Sequence, residues 1–174
     1  MSPARIVAVL TVLAGLWSSA SGSDMPAAKR GVVFVADGIG GWDITSSAAS
    51  LMLPHAGVPH EIRPFVWCHG WGKPFQDLQD LRYLLRKADE LALEVRKVKA
   101  DDPDRPVFLV GRSGGTGLVV AAAEQLPPGT LERIILLSSA MSPNYNLRPA
   151  LRATRGEIVS FYSPHDRVIL GWSL

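Results

Sequence analysis

The sequence predicts an α/β domain, a mostly parallel sheet flanked by helices, on three observations. From residue 31 onward, short apolar and β-branched runs alternate with segments of helical spacing, the order expected of strands joined by crossover helices. The run VFLV at 107–110 is apolar at every position, as in a central strand buried on both faces. With 174 residues and 47% apolar content, the chain has room for one domain with a substantial core and is neither disordered nor fibrous in composition.

The elements follow in order. Residues 31–36, GVVFVA, read as the first strand, ended by the glycine-rich DGIGG at 37–41. A helix over about 43–53 is closed by Pro54 and Gly57. Residues 62–68 read as a second strand, although Pro64 interrupts its donors. Leu78, Leu81, Leu85, Ala88, Ala92 and Val95 keep the three-and-four spacing of one buried helix face, with Pro74 near the start and Asp101, Asp102 and Pro103 at the end. The third strand at 107–110 is followed by a small-residue helix over 114–125, stopped by PPG at 127–129. Residues 133–138 and 157–162 give the fourth and fifth strands, with a short helix around 147–153 between them.

Ahead of the first strand, Arg5 precedes an apolar run of about a dozen residues, and Ser18, Ser19 and Ala20 supply the small residues a signal peptidase accepts. A spanning helix needs roughly 20 apolar residues. The reading is a signal peptide over 1–22, cleaved near Ala20 or Gly22, a linker over 23–30 and a domain over 31–174, hence a secreted or periplasmic protein not stably inserted in a membrane after cleavage. The single cysteine, Cys68, forms no internal disulfide, and its neighbours Phe65, Val66 and Trp67 suggest a buried structural thiol. Lys and Arg total 18 against 16 for Asp and Glu, and the net +2 comes without a basic block, so nucleic acid is not an expected partner.

The chemistry-bearing stretch is GRSGG at 111–115. A Gly two residues before and two after a Ser is a weak signal alone, but here it joins an apolar strand to a small-residue helix. In that setting a sharp turn lifts a hydroxyl above the sheet edge. Gly111, Arg112, Ser113, Gly114 and Gly115 thereby resemble the nucleophile elbow of the α/β-hydrolase family. The resemblance implies Ser113 as nucleophile and the Gly114 N–H as one oxyanion donor, with the positive end of the following helix aiding it. Upstream, ADGIGG at 36–41 is similar to the family's second oxyanion loop and places the other donor at Ile39, although Asp37 stands where many members have His. The same loop has two of the three glycines of a dinucleotide fingerprint, but Asp43 replaces the third and Glu61 sits at a strand start.

In the family the order is Ser, then acid, then His. Asp166, the only Asp after Ser113, falls just past the fifth strand and is the implied acid. The base is harder to place. His165 adjoins Asp166, so the two side chains diverge in extended chain; His55 and His60 lie away from the carboxyl edge; His69 ends the second strand at that edge but precedes the serine, and a turn or core role suits it better. The resemblance covers about residues 31–170, and the implied base lies beyond Leu174, so the domain reads as incomplete at both ends: a fragment, or a minimal form without its base. The expected function is an exported serine hydrolase, esterase- or lipase-like, cleaving a small acyl ester through a Ser113 acyl-enzyme, with no metal or organic cofactor implied. The competing reading is a non-catalytic binding domain of the same fold. The short stretch over 139–156 leaves little material for a lid, and Ser142, Asn144 and Tyr145 are possible lining residues of an open cleft.

Overall fold

Five parallel strands take up the apolar runs in a computed structural model that describes residues 30–70 and 79–162. They are β1 (Val32–Ala36), β2 (Glu61–Pro64), β3 (Val107–Arg112), β4 (Arg133–Leu137) and β5 (Ile158–Phe161), hydrogen-bonded in the order β2-β1-β3-β4-β5. Four helices join them: α1 (Ile44–Met52), α2 (Leu81–Asp101), α3 (Gly115–Ala123) and α4 (Arg148–Arg152). The two central strands pair Phe34 with Leu109 and Ala36 with Gly111, and Arg112 at the end of β3 pairs with Leu137 of β4.

Alternation along the strands divides the core in two. Val32, Phe34, Ala36, Leu109, Ile134 and Leu136 face one way and pack with α2 and α3 through Ala88, Leu91, Val95, Leu118 and Ala122. Val33, Val35, Phe108, Val110, Ile135 and Leu137 face the other way, toward Ala48 and Met52 of α1. Small residues along α3 let it lie close to the sheet.

Two local expectations are corrected. Leu81 and Leu85 are 65% and 46% exposed, and the buried face of α2 is instead Ala88, Leu91, Ala92, Val95 and Val98. In the first turn it is Leu84, not Leu81 or Leu85, that packs on the core, near Gly117 of α3. The second strand stops at Pro64 rather than Cys68, and the Phe65 N–H makes one further bond to the Val35 carbonyl at 2.8 Å. Beyond it the Trp67 and Cys68 side chains, not the backbone, make the contacts with the neighbouring loop.

The topology fixes where a site can form. From β1 the chain moves outward to β2, whereas from β3 it moves the opposite way to β4 and β5. Connections therefore diverge between β1 and β3 and leave a crevice at their carboxyl ends, the place where open α/β sheets bind ligands.

Candidate active site

Two segments meet in that crevice, the turn after β3 and the loop after β1. The turn is built from backbone packing. Ser113 has φ +50°, a left-handed conformation that costs a non-glycine residue about 1–2 kcal/mol and is retained only where surrounding structure enforces it. The enforcement is visible on both sides. A Cβ on Gly111 would sit 2.7 Å from the Gly115 carbonyl oxygen and 2.8 Å from the Thr116 Cα. One on Gly115 would meet the Ala36 carbonyl oxygen and lie 2.5 Å from that of Asp37. Only glycine permits α3 to start this close to β1. The Ser113 N–H donates to the Leu137 carbonyl at 2.9 Å, carrying the ladder with β4 one step past the strand.

Ser113 is partly exposed, and its hydroxyl has no hydrogen-bond partner among the described residues. The adjacent Gly114 stands at the N-cap of the nine-residue α3, whose N-terminus and positive end lie at the crevice.

The loop after β1 is held by side chains. The Asp37 carboxylate, buried beneath the loop, accepts from the Thr45 N–H at 2.8 Å and the Ser46 N–H at 2.9 Å. It thus supplies the acceptors for the first turn of α1, which the Asp43 side chain at the N-cap does not. The Arg112 guanidinium stands 3.8 Å from the same carboxylate. From the exit of β2, the Trp67 indole N–H donates to the Asp37 carbonyl at 2.8 Å and the Cys68 thiol to the Gly38 carbonyl at 3.4 Å. Cys68 is only half-buried, and its thiol is part of this loop's scaffold rather than of the deep core. Asp at position 37 therefore has a physical role, since a carboxylate suits two helix N–H donors. It also fills the position at the start of α1 where the dinucleotide alternative needs a pyrophosphate.

Loop and turn touch. A Cβ on Gly38 would lie 3.4 Å from that of Ser113, and one on Gly114 would lie 2.8 Å from Ile39 Cγ2 and 3.3 Å from the Trp67 ring. Gly111, Arg112, Ser113, Gly114, Gly115 and Ile39 are thus brought to one place. Among the described residues, neither the Ile39 nor the Gly114 N–H has an acceptor. Asp166 and His165 lie outside the described residues.

The remaining histidines are placed. His60 is at the opposite, amino edge of the sheet, stacked on Phe108. His55 lies 2.8 Å from the Leu51 carbonyl at the end of α1. His69 stacks on Tyr83 with ring centroids 3.8 Å apart, and its Nε2 is 3.5 Å from Asp80 Oδ2. Asp80 also accepts from the Tyr83 N–H at 2.8 Å, the main reason its carboxyl is held below the usual carboxylate range, so this cluster ties the exit of β2 to the start of α2. Ser142 and Asn144 form an exposed turn in which the Asn144 N–H donates to Ser142 Oγ at 3.3 Å. Tyr145 is directed away from the crevice: its hydroxyl donates to Glu124 at 2.9 Å, at the far end of α3, ~13 Å along a helix of this length.

Sheet order, crossover helices and the strand–turn–helix about Ser113 define an α/β-hydrolase-like fold. Solved structures with this fold include a Trichoderma reesei cutinase in complex with a C11Y4 phosphonate inhibitor, 16% identical, covering 98% of this chain and 77% of that one with a TM-score of 0.56. An acetylxylan esterase at 0.90 Å resolution is 12% identical over 83% of this chain and 91% of its own, with a TM-score of 0.54. An iodinated complex of acetyl xylan esterase matches over the same shares at 10% identity and a TM-score of 0.51. No protein-family model and no curated protein sequence matches the chain.

Sequence reasoning did not reach the anchoring of Asp37, the Trp67 and Cys68 contacts, or the bonds of Thr116 described below. The available signal was the placement of Trp67 and Cys68 at the end of β2, on the edge where the glycine-rich loop also lies.

Proposed function

We propose that this protein is a serine esterase acting on a small acyl ester. The observation that carries the reading is Ser113 held at φ +50° in the switch-point crevice, beside two backbone N–H groups without acceptors among the described residues. The Ser113 oxygen attacks the carbonyl carbon, and the C=O π electrons move to the oxygen, which the Gly114 and Ile39 N–H groups stabilise. The hydroxyl proton passes to a base and from there to the departing alcohol as the C–O bond breaks, leaving an acyl-enzyme that water cleaves by the same steps. In this reading Asp166 orients a histidine base, and Arg112 balances the buried Asp37 charge at the rim. The fold shared with the cutinase and the acetylxylan esterases supports an ester substrate. Export belongs to the same reading and rests on residues 1–22, so N-terminal sequencing of the mature protein should begin near residue 21 or 23.

The test is a fluorophosphonate probe on the full chain, with peptide mapping. Labelling at Ser113 that disappears in Ser113→Ala supports the esterase. Labelling that survives the substitution assigns the nucleophile elsewhere. A folded protein that is not labelled rejects an acyl-enzyme formed by residues 1–174 alone and leaves the binding-domain reading for this chain.

A further inference from the structure

We propose that Thr116 is a positioning residue that aims the Gly114 N–H at the oxyanion and couples it to the loop leaving β4. The proposal rests on the esterase reading for its chemistry. Thr116 is fully buried at the second position of α3, in its first turn. Its hydroxyl donates to the Ser113 carbonyl at 2.5 Å and accepts from the Ala140 N–H at 3.3 Å and the Ser139 hydroxyl at 3.4 Å. One donor and two acceptor positions are the full capacity of a hydroxyl, so each is committed. The Thr116 N–H reaches the same Ser113 carbonyl at 3.0 Å.

The consequence follows from the planar peptide. The Ser113 carbonyl and the Gly114 N–H belong to one trans peptide unit and point in opposite directions. Two donors from Thr116 draw the carbonyl into the start of α3, which turns the N–H out into the crevice. Without the hydroxyl, only the backbone bond resists rotation of a peptide attached to a strained left-handed residue. The acceptor side of Thr116 reaches the segment just after Ser138, a second serine with left-handed backbone, φ +47°, at the end of the neighbouring strand. Ser138 donates its N–H to the Phe161 carbonyl at 2.8 Å, so the loop that Thr116 grips is anchored to β5.

The test compares wild type, Thr116→Val and Thr116→Ser as full chains. The readouts are the second-order rate of fluorophosphonate labelling, kcat and KM for p-nitrophenyl acetate, and the Gly114 amide resonance with its hydrogen-exchange rate. Val retains the shape and removes the hydroxyl, so labelling and kcat should fall about 10- to 100-fold, less than the roughly 100- to 1000-fold for losing an oxyanion donor outright because the N–H is misaimed rather than removed, with KM within about threefold. Ser retains the hydroxyl and should restore both to within about threefold even if its melting temperature is lower. The Gly114 amide should shift in Thr116→Val and not in Thr116→Ser. If Thr116→Val fails to fold, Thr116→Ala replaces it with the same expectation. Wild-type labelling and an unmoved Gly114 amide in a folded hydroxyl-free variant overturn the proposal. Absence of labelling in wild type itself rejects the esterase reading instead, and the Gly114 amide comparison then decides the positioning role alone.

Discussion

Two segments, the turn at Gly114 and the loop at Ile39, meet at the switch point, yet they are held in opposite ways. The turn at Gly114 is closed by backbone against backbone, with Gly111 and Gly115 leaving no room for a side chain. The loop at Ile39 is held by side chains reaching in from elsewhere: the indole of Trp67, the thiol of Cys68, and a carboxylate from Asp37 that fastens it to α1. The difference teaches that steric closure is stiff and local, whereas side-chain anchoring is softer and spread over several elements. Substitutions in the two regions should therefore differ in size and in kind.

The largest effect is expected at Gly115→Ala. The added methyl would meet two main-chain oxygens of the central strand's end, which cannot turn aside as a flexible side chain can. The cost should reach about 3 kcal/mol or more, the upper range for overpacking, against a total stability of about 5–15 kcal/mol for a typical domain. Urea denaturation followed by circular dichroism measures it. A cost under about 1 kcal/mol would show that the turn is not closed by contact with β1.

A graded loss is expected at Asp37. Removing the carboxylate in Asp37→Ala leaves two buried N–H groups of α1 without acceptors and should cost about 1–3 kcal/mol, while Asp37→Asn, with one acceptor oxygen, should cost roughly half as much. Phosphonate labelling should slow in the same order, because the loop bearing Ile39 loosens. Equal labelling in all three proteins would detach Asp37 from the geometry of that loop and leave it a helix cap only.

The same contrast explains what the sequence discloses. The turn after β3 is local, and its glycines sit within two residues of Ser113, so spacing alone points to it. The alternation of strands and helices is likewise local and gives the sheet. The contacts of Trp67 and Cys68 with the loop join residues 30 positions apart, and no spacing rule connects them. The phase of α2 is misread for a related reason. Leu81 and Leu85 continue the three-and-four pattern, but Leu84 is the residue of that turn that packs on the core, and helical periodicity does not encode which neighbour meets the face. Thr116 is inconspicuous among the small residues of α3 until the segment after β4 is folded against it.

The smallest effect comes from a side-chain anchor at the other edge of the sheet, and it separates anchoring as such from anchoring at the crevice. His60 Nδ1 accepts the Gly31 N–H at 3.0 Å while its ring stacks on Phe108 with centroids 5.1 Å apart. This bond requires neutral imidazole with its proton on Nε2, since both ring nitrogens donate once the ring is charged. Burial pushes the His60 pKa below its ordinary value of 6.5, so the folded chain keeps the ring neutral at a pH where the unfolded chain has begun to protonate. The unfolded state then binds more protons, so stability is full above about pH 6.5 and declines as the pH falls from there through the folded value. Urea denaturation of wild type between pH 8 and 5 should show that decline. His60→Gln, whose amide oxygen can accept but does not titrate here, should flatten it, at a cost of about 1 kcal/mol or less at pH 8. Labelling at Ser113 should be unchanged, because Gly31 and His60 lie at the amino ends of β1 and β2, a strand's length from the crevice. A labelling rate that follows the His60 substitution would mean that the two edges of the sheet are not mechanically independent, and the contrast between closure and anchoring would then have to include the whole of β1.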